Sequence, residues 1–293
     1  MRLVVAATPH VAVPTIKALS TEHDLTVVTQ PDRPAGRGKQ LRATEIASSY
    51  PEAIKIDHEE QLQQILKGAD LLITIGYGKL LSNETLSIPK FGGINLHFSL
   101  LPRWRGAAPV QRAIEAGDKV SGVTVFQMDE GMDTGPIWSR KTFPIPYGFS
   151  SRDLFDELST LGVIAVKESL SKILNGEQPE PQTGEPVIAK KIQKSECVIN
   201  WQVSADEIIR KIKAFSFNPG VHSTIRGEKL RIEDARLSET KLESGELASN
   251  GEVGTAQGSI QILEVTPAGK RTMGVKDWLN GFKPIVGERF DSN

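Results

Sequence analysis

The sequence predicts an α/β protein in two parts, a Rossmann-like parallel-sheet domain followed by a smaller β-barrel of the oligonucleotide-binding (OB) shape. Three observations point there. Short, unbroken apolar runs alternate with helical patterns through the first half, the rhythm of a parallel sheet covered on both faces. A stretch rich in Pro, Gly and charge, residues 176–196, then breaks that texture. Beyond it come short runs of alternating polarity separated by polar breaks, which suit a small barrel.

The elements follow in order. RLVVAAT (2–8) reads as the first buried strand, and Pro9 to Leu19 as a helix with Pro14 near its first turn. Leu25 to Thr29 is a second strand, stopped by PDRPAGRGK (31–39), which holds too many Pro and Gly residues to continue. Ala43 to Ser49 and Glu60 to Leu66 are helical, and DLLITIGYG (70–78) is the next buried strand. GGINLHFSLLPRWRGAAP (92–109) reads as a strand end running into a loop, with GVTVFQM (122–128) and IWSRKTFPI (137–145) as further strands. Ser150 and Asp153 form a capping-box pattern that opens a long helix. Leu154, Leu158, Leu161 and Ile164 supply its apolar stripe, and Asn175-Gly176 ends it. In the second half, Ser204 and Glu207 open a short helix carrying Ile208, Ile209 and Ile212. The runs VHSTI (221–225), KLRIEDARL (229–237) and SIQILEV (259–265) are its strands. These bounds give domains 1–188 and 204–293 joined by a linker, 189–203. At 293 residues the chain has room for two domains, taking about 150 residues for each.

Composition narrows the function classes. Charged residues are 24% and hydrophobic ones 39% of the chain, an ordinary soluble mix. The formal charge of −1 gives no global reason to expect nucleic-acid binding, so any basic surface must be local. A single cysteine, Cys197, excludes an internal disulfide and a cysteine-rich zinc site, and fits a reducing cytosol. No apolar run approaches the ~20 residues that span a bilayer. Arg2 and the short apolar run broken by Thr8-Pro9 do not form a secretory pattern. The expectation is a cytoplasmic protein without a membrane partner. No GxGxxG follows the first strand, so a nicotinamide cofactor is not indicated.

The residues that could carry chemistry are Asn95 and His97 in the strand end, with Asp133 in MDEGMDTG (128–135). Successive strand residues face opposite ways, so positions 95 and 97 share a side. An amide donor beside an imidazole can bind a developing oxyanion and move a proton. Taken singly, Asn95 could satisfy a turn, His97 could be a buried histidine and Asp133 could bend a Gly-rich loop. Together they stand where ligands of open α/β sheets bind, outside the carboxyl ends of the strands. Nothing in the sequence itself brings Asp133 to His97. Arg33, Arg37 and Lys39 make one basic loop; Arg210, Lys211 and Lys213 make a basic helix side, with Lys229 and Arg231 beyond. Such groups are often only solvated surface. Trp104, Trp138, Trp201 and Trp278 read as packing residues.

GGINLHFSLLPRWRGAAPVQ with MDEGMDTG resembles the folate-dependent formyltransferases, and among them the methionyl-tRNA formyltransferases. The likeness extends to Ala7-Thr8-Pro9, QPDRPAGRGK (30–39) and TPAGKRTM (266–273). It departs at Ala7, where the family often has Gly, and at Phe98, where a smaller residue is common. The resemblance implies a donor, 10-formyltetrahydrofolate, an acceptor, the α-amine of methionine on initiator tRNA, and no metal. Asn95 and His97 would bind the oxyanion formed by amine attack, where losing one donor costs about 3–4 kcal/mol. Asp133 would ready His97 and help carry the amine's proton away. Ser99, Leu100, Leu101 and Pro102 would border the folate. Tyr77-Gly78 and Asp129 to Gly131 would line the same cleft. Arg33, Arg37 and Lys39 would enter the acceptor-stem groove, and Arg210, Lys211 and Lys213 would extend the tRNA contact. A monomer is the default for the family. Two other readings stay open: an amino-sugar nucleotide as acceptor, against which the tRNA-type loop argues, and a noncatalytic RNA-binding protein.

Overall fold

A computed structural model of the chain describes residues 1–35, 40–216 and 219–291. They form two compact units, each built from several segments. One comprises Met1–Pro109, Val120–Pro144 and Phe155–Lys190; the other comprises Val110–Lys119, Ile145–Leu154 and Lys191–Asn293.

The strands of the first unit are β1 (Arg2–Ala7), β2 (Asp24–Thr29), a hairpin of β3 (Arg33–Ala35) and β4 (Gln40–Arg42), and β5 (Ile54–Lys55). They continue with β6 (Leu71–Ile75), β7 (Gly93–His97), β8 (Arg103–Gly106), β9 (Val120–Gln127), β10 (Ile137–Pro144) and β11 (Val187–Ala189). Seven of them make one sheet in the order β10-β9-β7-β6-β1-β2-β5. From β5 to β7 every neighbouring pair is parallel. The residues of β1 after Arg2, and all of β6, are buried, as unbroken apolar runs at a sheet centre must be. The sheet is not parallel throughout: β9 runs antiparallel to β7, and β10 antiparallel to β9. Residues 128–136 join β9 to β10, fewer than the roughly dozen residues that a parallel crossover needs. Arg33–Ala35 is more regular than the Pro and Gly content around it predicts, since it pairs with Gln40–Arg42 from Arg33↔Arg42 to Ala35↔Gln40.

Each face of the sheet is covered. On one, Val4, Ala6, Val28 and Leu72 pack with Leu62 and Leu66 of the helix Glu59–Leu66. The other faces the helix Ser151–Leu174. There Gly162 fits against Leu96 of β7; a Cβ at this glycine would come 2.7 Å from Leu96 Cδ2. Because strand residues alternate, Leu96 facing the helix turns Asn95 and His97 to the opposite side. Leu154, Leu158, Ala165, Val166, Leu170 and Ile173 form the buried stripe of this helix. Ile164, expected in that stripe, is 53% exposed instead. It lies two residues from Gly162, roughly 200° round an α-helix.

In the second unit β12 (Val221–Ile225), β13 (Glu228–Ser238), β14 (Glu252–Gly254), β15 (Ser259–Pro267) and β16 (Met273–Gly274) form a five-stranded sheet. Its order is β12-β13-β15-β14 with β16 on β15, antiparallel at each pairing. The helix Ala205–Phe215 begins with a reciprocal cap: Glu207 N–H donates to Ser204 Oγ at 3.3 Å and Ser204 N–H donates to Glu207 Oε2 at 3.0 Å. Ile208, Ile209 and Ile212 are its buried face. A helix that the sequence reading did not include, Val275–Phe282, buries Trp278, which stacks on Phe282 at 4.7 Å. Trp201 packs on Phe290 and donates through Nε1 to Ser223 Oγ at 3.0 Å. Within 189–203, Ala189 belongs to β11, while Cys197, Ile199 and Trp201 are buried. Burial and the neighbouring Glu196 carboxylate push the Cys197 thiol up from its ordinary value. No helix among the described residues is long and apolar enough to cross a membrane.

Candidate active site

β7 delivers His97 at its carboxyl end, where the parallel strands of the sheet open. The residue is 6% exposed. Nε2 lies 2.8 Å from the Trp104 carbonyl oxygen. A carbonyl only accepts, so Nε2 carries a proton and donates, which leaves Nδ1 as the basic nitrogen of the neutral ring. Nδ1 faces Asp133 Oδ2 at 3.6 Å, an ion-pair distance longer than a hydrogen bond. The same carboxylate oxygen accepts the Gly106 N–H at 2.7 Å. Asn95 lies on the same strand face as His97, half-buried, with no hydrogen bond from its side chain to a described residue. His97 and Asp133 are therefore brought together, and Asn95 shares the His97 strand face with its amide unengaged among the described residues.

The residues facing the two imidazole nitrogens share a backbone property. Trp104 has φ 64° and Asp133 has φ 58°, and among the described residues only Arg226 and Lys283 are other non-glycines with positive φ. A left-handed conformation costs an ordinary residue about 1–2 kcal/mol. Its occurrence on both sides of one histidine is the pattern of strain gathered at a working site. Asp129 shapes the approach to this loop: its Oδ1 accepts the Gly131 N–H at 3.1 Å and the Thr134 hydroxyl at 2.7 Å.

The segment Ser99 to Pro102 leaves β7 and is pinned from β9 and β10. Leu101 N–H donates to Thr124 Oγ1 at 3.1 Å, and the Thr124 hydroxyl donates to the Ser99 carbonyl at 2.7 Å. Arg140 Nη2 donates to the Leu101 carbonyl at 2.8 Å, and the Leu101–Pro102 peptide is cis. Ser99 and Leu101 are buried; Leu100 and Pro102 are half-buried. Phe98 packs edge-on against Phe155, with ring centroids 5.8 Å apart.

Residues 1–170 match the family described as Formyl transferase, and residues 191–283 match Formyl transferase, C-terminal domain. The chain is 38% identical over 309 residues to the methionyl-tRNA formyltransferase of Methylobacillus flagellatus, covering 100% of both. It is 36% identical over 305 residues to that of Dechloromonas aromatica, covering 99% of both. The chain belongs to the methionyl-tRNA formyltransferase family. Its fold is similar to that of HypX from Aquifex aeolicus, solved in complex with tetrahydrofolic acid. The TM-score is 0.72 at 19% identity, over 100% of this chain and 49% of that one.

Arg33, at the start of β3, is exposed and donates to the Gln30 side chain, which in turn donates to the Tyr77 carbonyl. Arg37 and Lys39 lie outside the described residues. Arg210 Nε donates to the Glu115 carbonyl at 3.1 Å, and Lys213 pairs with Asp234 Oδ1 at 2.7 Å. Lys211 is half-buried on the same helix. Two of the three helix residues thus have partners within the chain. The Tyr77 side chain belongs to the core cluster that holds Leu62, Leu66 and Leu81, and burial raises its hydroxyl pKa. Sequence reasoning missed Trp104 and Gly106 as the backbone partners of His97 and Asp133, and Thr124 and Arg140 as the anchors of the following loop. Backbone carbonyls and N–H groups carry no residue-type signal, so only the glycine in RWRGAAP could have hinted at them.

Proposed function

We propose that this methionyl-tRNA formyltransferase family member transfers the formyl group of 10-formyltetrahydrofolate to the α-amine of methionine on initiator tRNA, by direct amine attack. The observation that carries the reading is His97, held through Nε2 by the Trp104 carbonyl with Nδ1 3.6 Å from Asp133. Residues 1–188 are the catalytic domain and 204–293 a tRNA-binding domain, joined by 189–203. The protein works as a cytoplasmic monomer.

The folate supplies an electrophilic formyl carbon and a nitrogen that can leave. The residues present fit such a donor, since Asn95 offers an amide without a partner among the described residues on the His97 face. That amide donates to the oxyanion as charge develops. His97, when it carries both protons, adds a second donor at Nδ1. The 3.6 Å gap to Asp133 lets this N–H be shared between carboxylate and oxyanion. Asp133, fixed by the Gly106 N–H, balances the imidazolium charge and helps remove the proton of the attacking amine. Ser99, Leu100, Leu101 and Pro102 border the folate on a loop whose carbonyls are held by Thr124 and Arg140. Arg33, Arg37 and Lys39 contact the acceptor stem. Arg210, Lys211 and Lys213 meet phosphates, Lys213 exchanging its half-buried Asp234 partner for a phosphate oxygen.

The relatives named methionyl-tRNA formyltransferase, and the tetrahydrofolic acid in the HypX structure, support this acceptor and donor. The test is incubation with 10-formyltetrahydrofolate and either methionine-charged initiator tRNA or an amino-sugar nucleotide. Formylmethionyl-tRNA is the expected product. Formyl transfer to the sugar alone, or to neither, defeats the reading.

A further inference from the structure

We propose that Gln182 is a positioning residue that fixes the Asp133 loop against His97, an inference that rests on the role given to Asp133 above. Gln182 sits in EPQTGEP (180–186), between the helix Ser151–Leu174 and β11, a stretch with no periodic pattern. Its side-chain Nε2 donates to the carbonyls of Asp133, at 2.9 Å, and Gly135, at 2.8 Å. Its Oε1 accepts from Arg105 Nε at 3.1 Å and Nη2 at 2.7 Å. Both N–H groups and both lone pairs of one amide are thereby used.

The two ends of this clamp matter because of what they hold. Arg105 lies between Trp104, whose carbonyl binds His97 Nε2, and Gly106, whose N–H binds Asp133 Oδ2. Asp133 keeps a left-handed backbone at φ 58°. Aspartate tolerates that conformation better than most residues, and Gln182 adds a hold from outside the loop by gripping the carbonyl of that very residue from 49 positions away in the chain. A single side chain therefore ties the segment that orients the imidazole to the loop that carries the carboxylate. β11 reinforces the link by pairing in parallel with β8 just beyond, Val187↔Arg103 to Ala189↔Gly106.

The substitutions Gln182→Ala and Gln182→Glu separate the contributions. Alanine removes both ends of the clamp. Glutamate is nearly isosteric and keeps an acceptor for Arg105, but sets carboxylate oxygen against two carbonyls. The assay is formylation of methionine-charged tRNA, read as kcat and as the KM for 10-formyltetrahydrofolate, with Asp133→Ala and the Gln182→Ala/Asp133→Ala double variant in parallel. The expected result is a kcat lowered about 10- to 100-fold in both Gln182 variants, with the KM within about twofold. In the Asp133→Ala background Gln182→Ala should cost little more, because it acts through the missing carboxylate. Should Gln182→Ala fail to fold, the kcat of Gln182→Glu decides alone. Full activity in Asp133→Ala would remove the reading on which this rests. Impaired Asp133→Ala with wild-type kcat in the Gln182 variants, or an undiminished Gln182 effect without Asp133, would overturn the positioning role itself.

Discussion

Gly135→Ala puts the geometry around Asp133 under direct strain. A Cβ at Gly135 would stand 1.7 Å from the Gln127 carbonyl oxygen and 2.9 Å from its carbon, where real Cβ atoms stay beyond 3.0 Å. The neighbour is strand backbone of β9, so the loop rather than the strand must yield, by 3.0 − 1.7, or about 1.3 Å. Asp133 is two residues away. A shift of that size would stretch its 2.7 Å bond to the Gly106 N–H to about 4 Å, beyond hydrogen-bond range. It would also change the 3.6 Å approach to His97. Overpacking of this kind costs about 1–3 kcal/mol of stability, and a displacement near 1 Å at a reacting group costs about 100-fold in rate. The measurements are the melting temperature and kcat for formylation. Gly281→Ala serves as control, since nothing lies within 4 Å of its added Cβ on the exposed end of the helix Val275–Phe282. It should leave kcat unchanged and stability equal or slightly higher. A folded Gly135→Ala protein with wild-type kcat would refute the claim that this loop's position sets the rate.

Two other predictions concern charge. Hydrogen bonding to Lys141, then to Lys172, holds the Glu168 carboxyl below its ordinary value despite the opposing effect of burial. A depressed carboxylate contributes stability above its unfolded pKa and loses it as pH falls through the folded value. The melting-temperature gap between wild type and Glu168→Gln should therefore be widest near neutrality and close below about pH 4; a gap independent of pH would count against the pairing. For the tRNA, the KM should rise steeply with salt while the KM for the folate donor barely moves. Arg37→Ala should raise the former and flatten its salt slope, and unchanged tRNA kinetics would remove that loop from the contact.

Local information carried much of the fold. The buried runs of β1 and β6 and the Ser204–Glu207 cap are decided by neighbours within a few residues, and all were legible. Strand direction at the sheet edge was not, because apolar alternation in 122–128 and 137–145 is the same for either orientation. Ile164 was misplaced by reading a helical stripe without knowing that Gly162 marks its centre. In the candidate site, Asn95 and His97 were legible as residue types at a strand end, and Asp133 as one on a loop. Their meeting was not, since it depends on the Trp104 carbonyl, the Gly106 N–H and Gln182, contacts that span up to 77 residues and leave no period behind.

If His97, held by Trp104 and facing Asp133, acts in formyl transfer, its removal must slow the chemical step. The single-turnover rate of formylation of methionine-charged initiator tRNA, compared between wild type and a folded His97→Ala variant, tests it most directly. A fall of about 100- to 1,000-fold is expected, the loss typical of removing one oxyanion donor. A His97→Ala protein that formylates at the wild-type rate would contradict it.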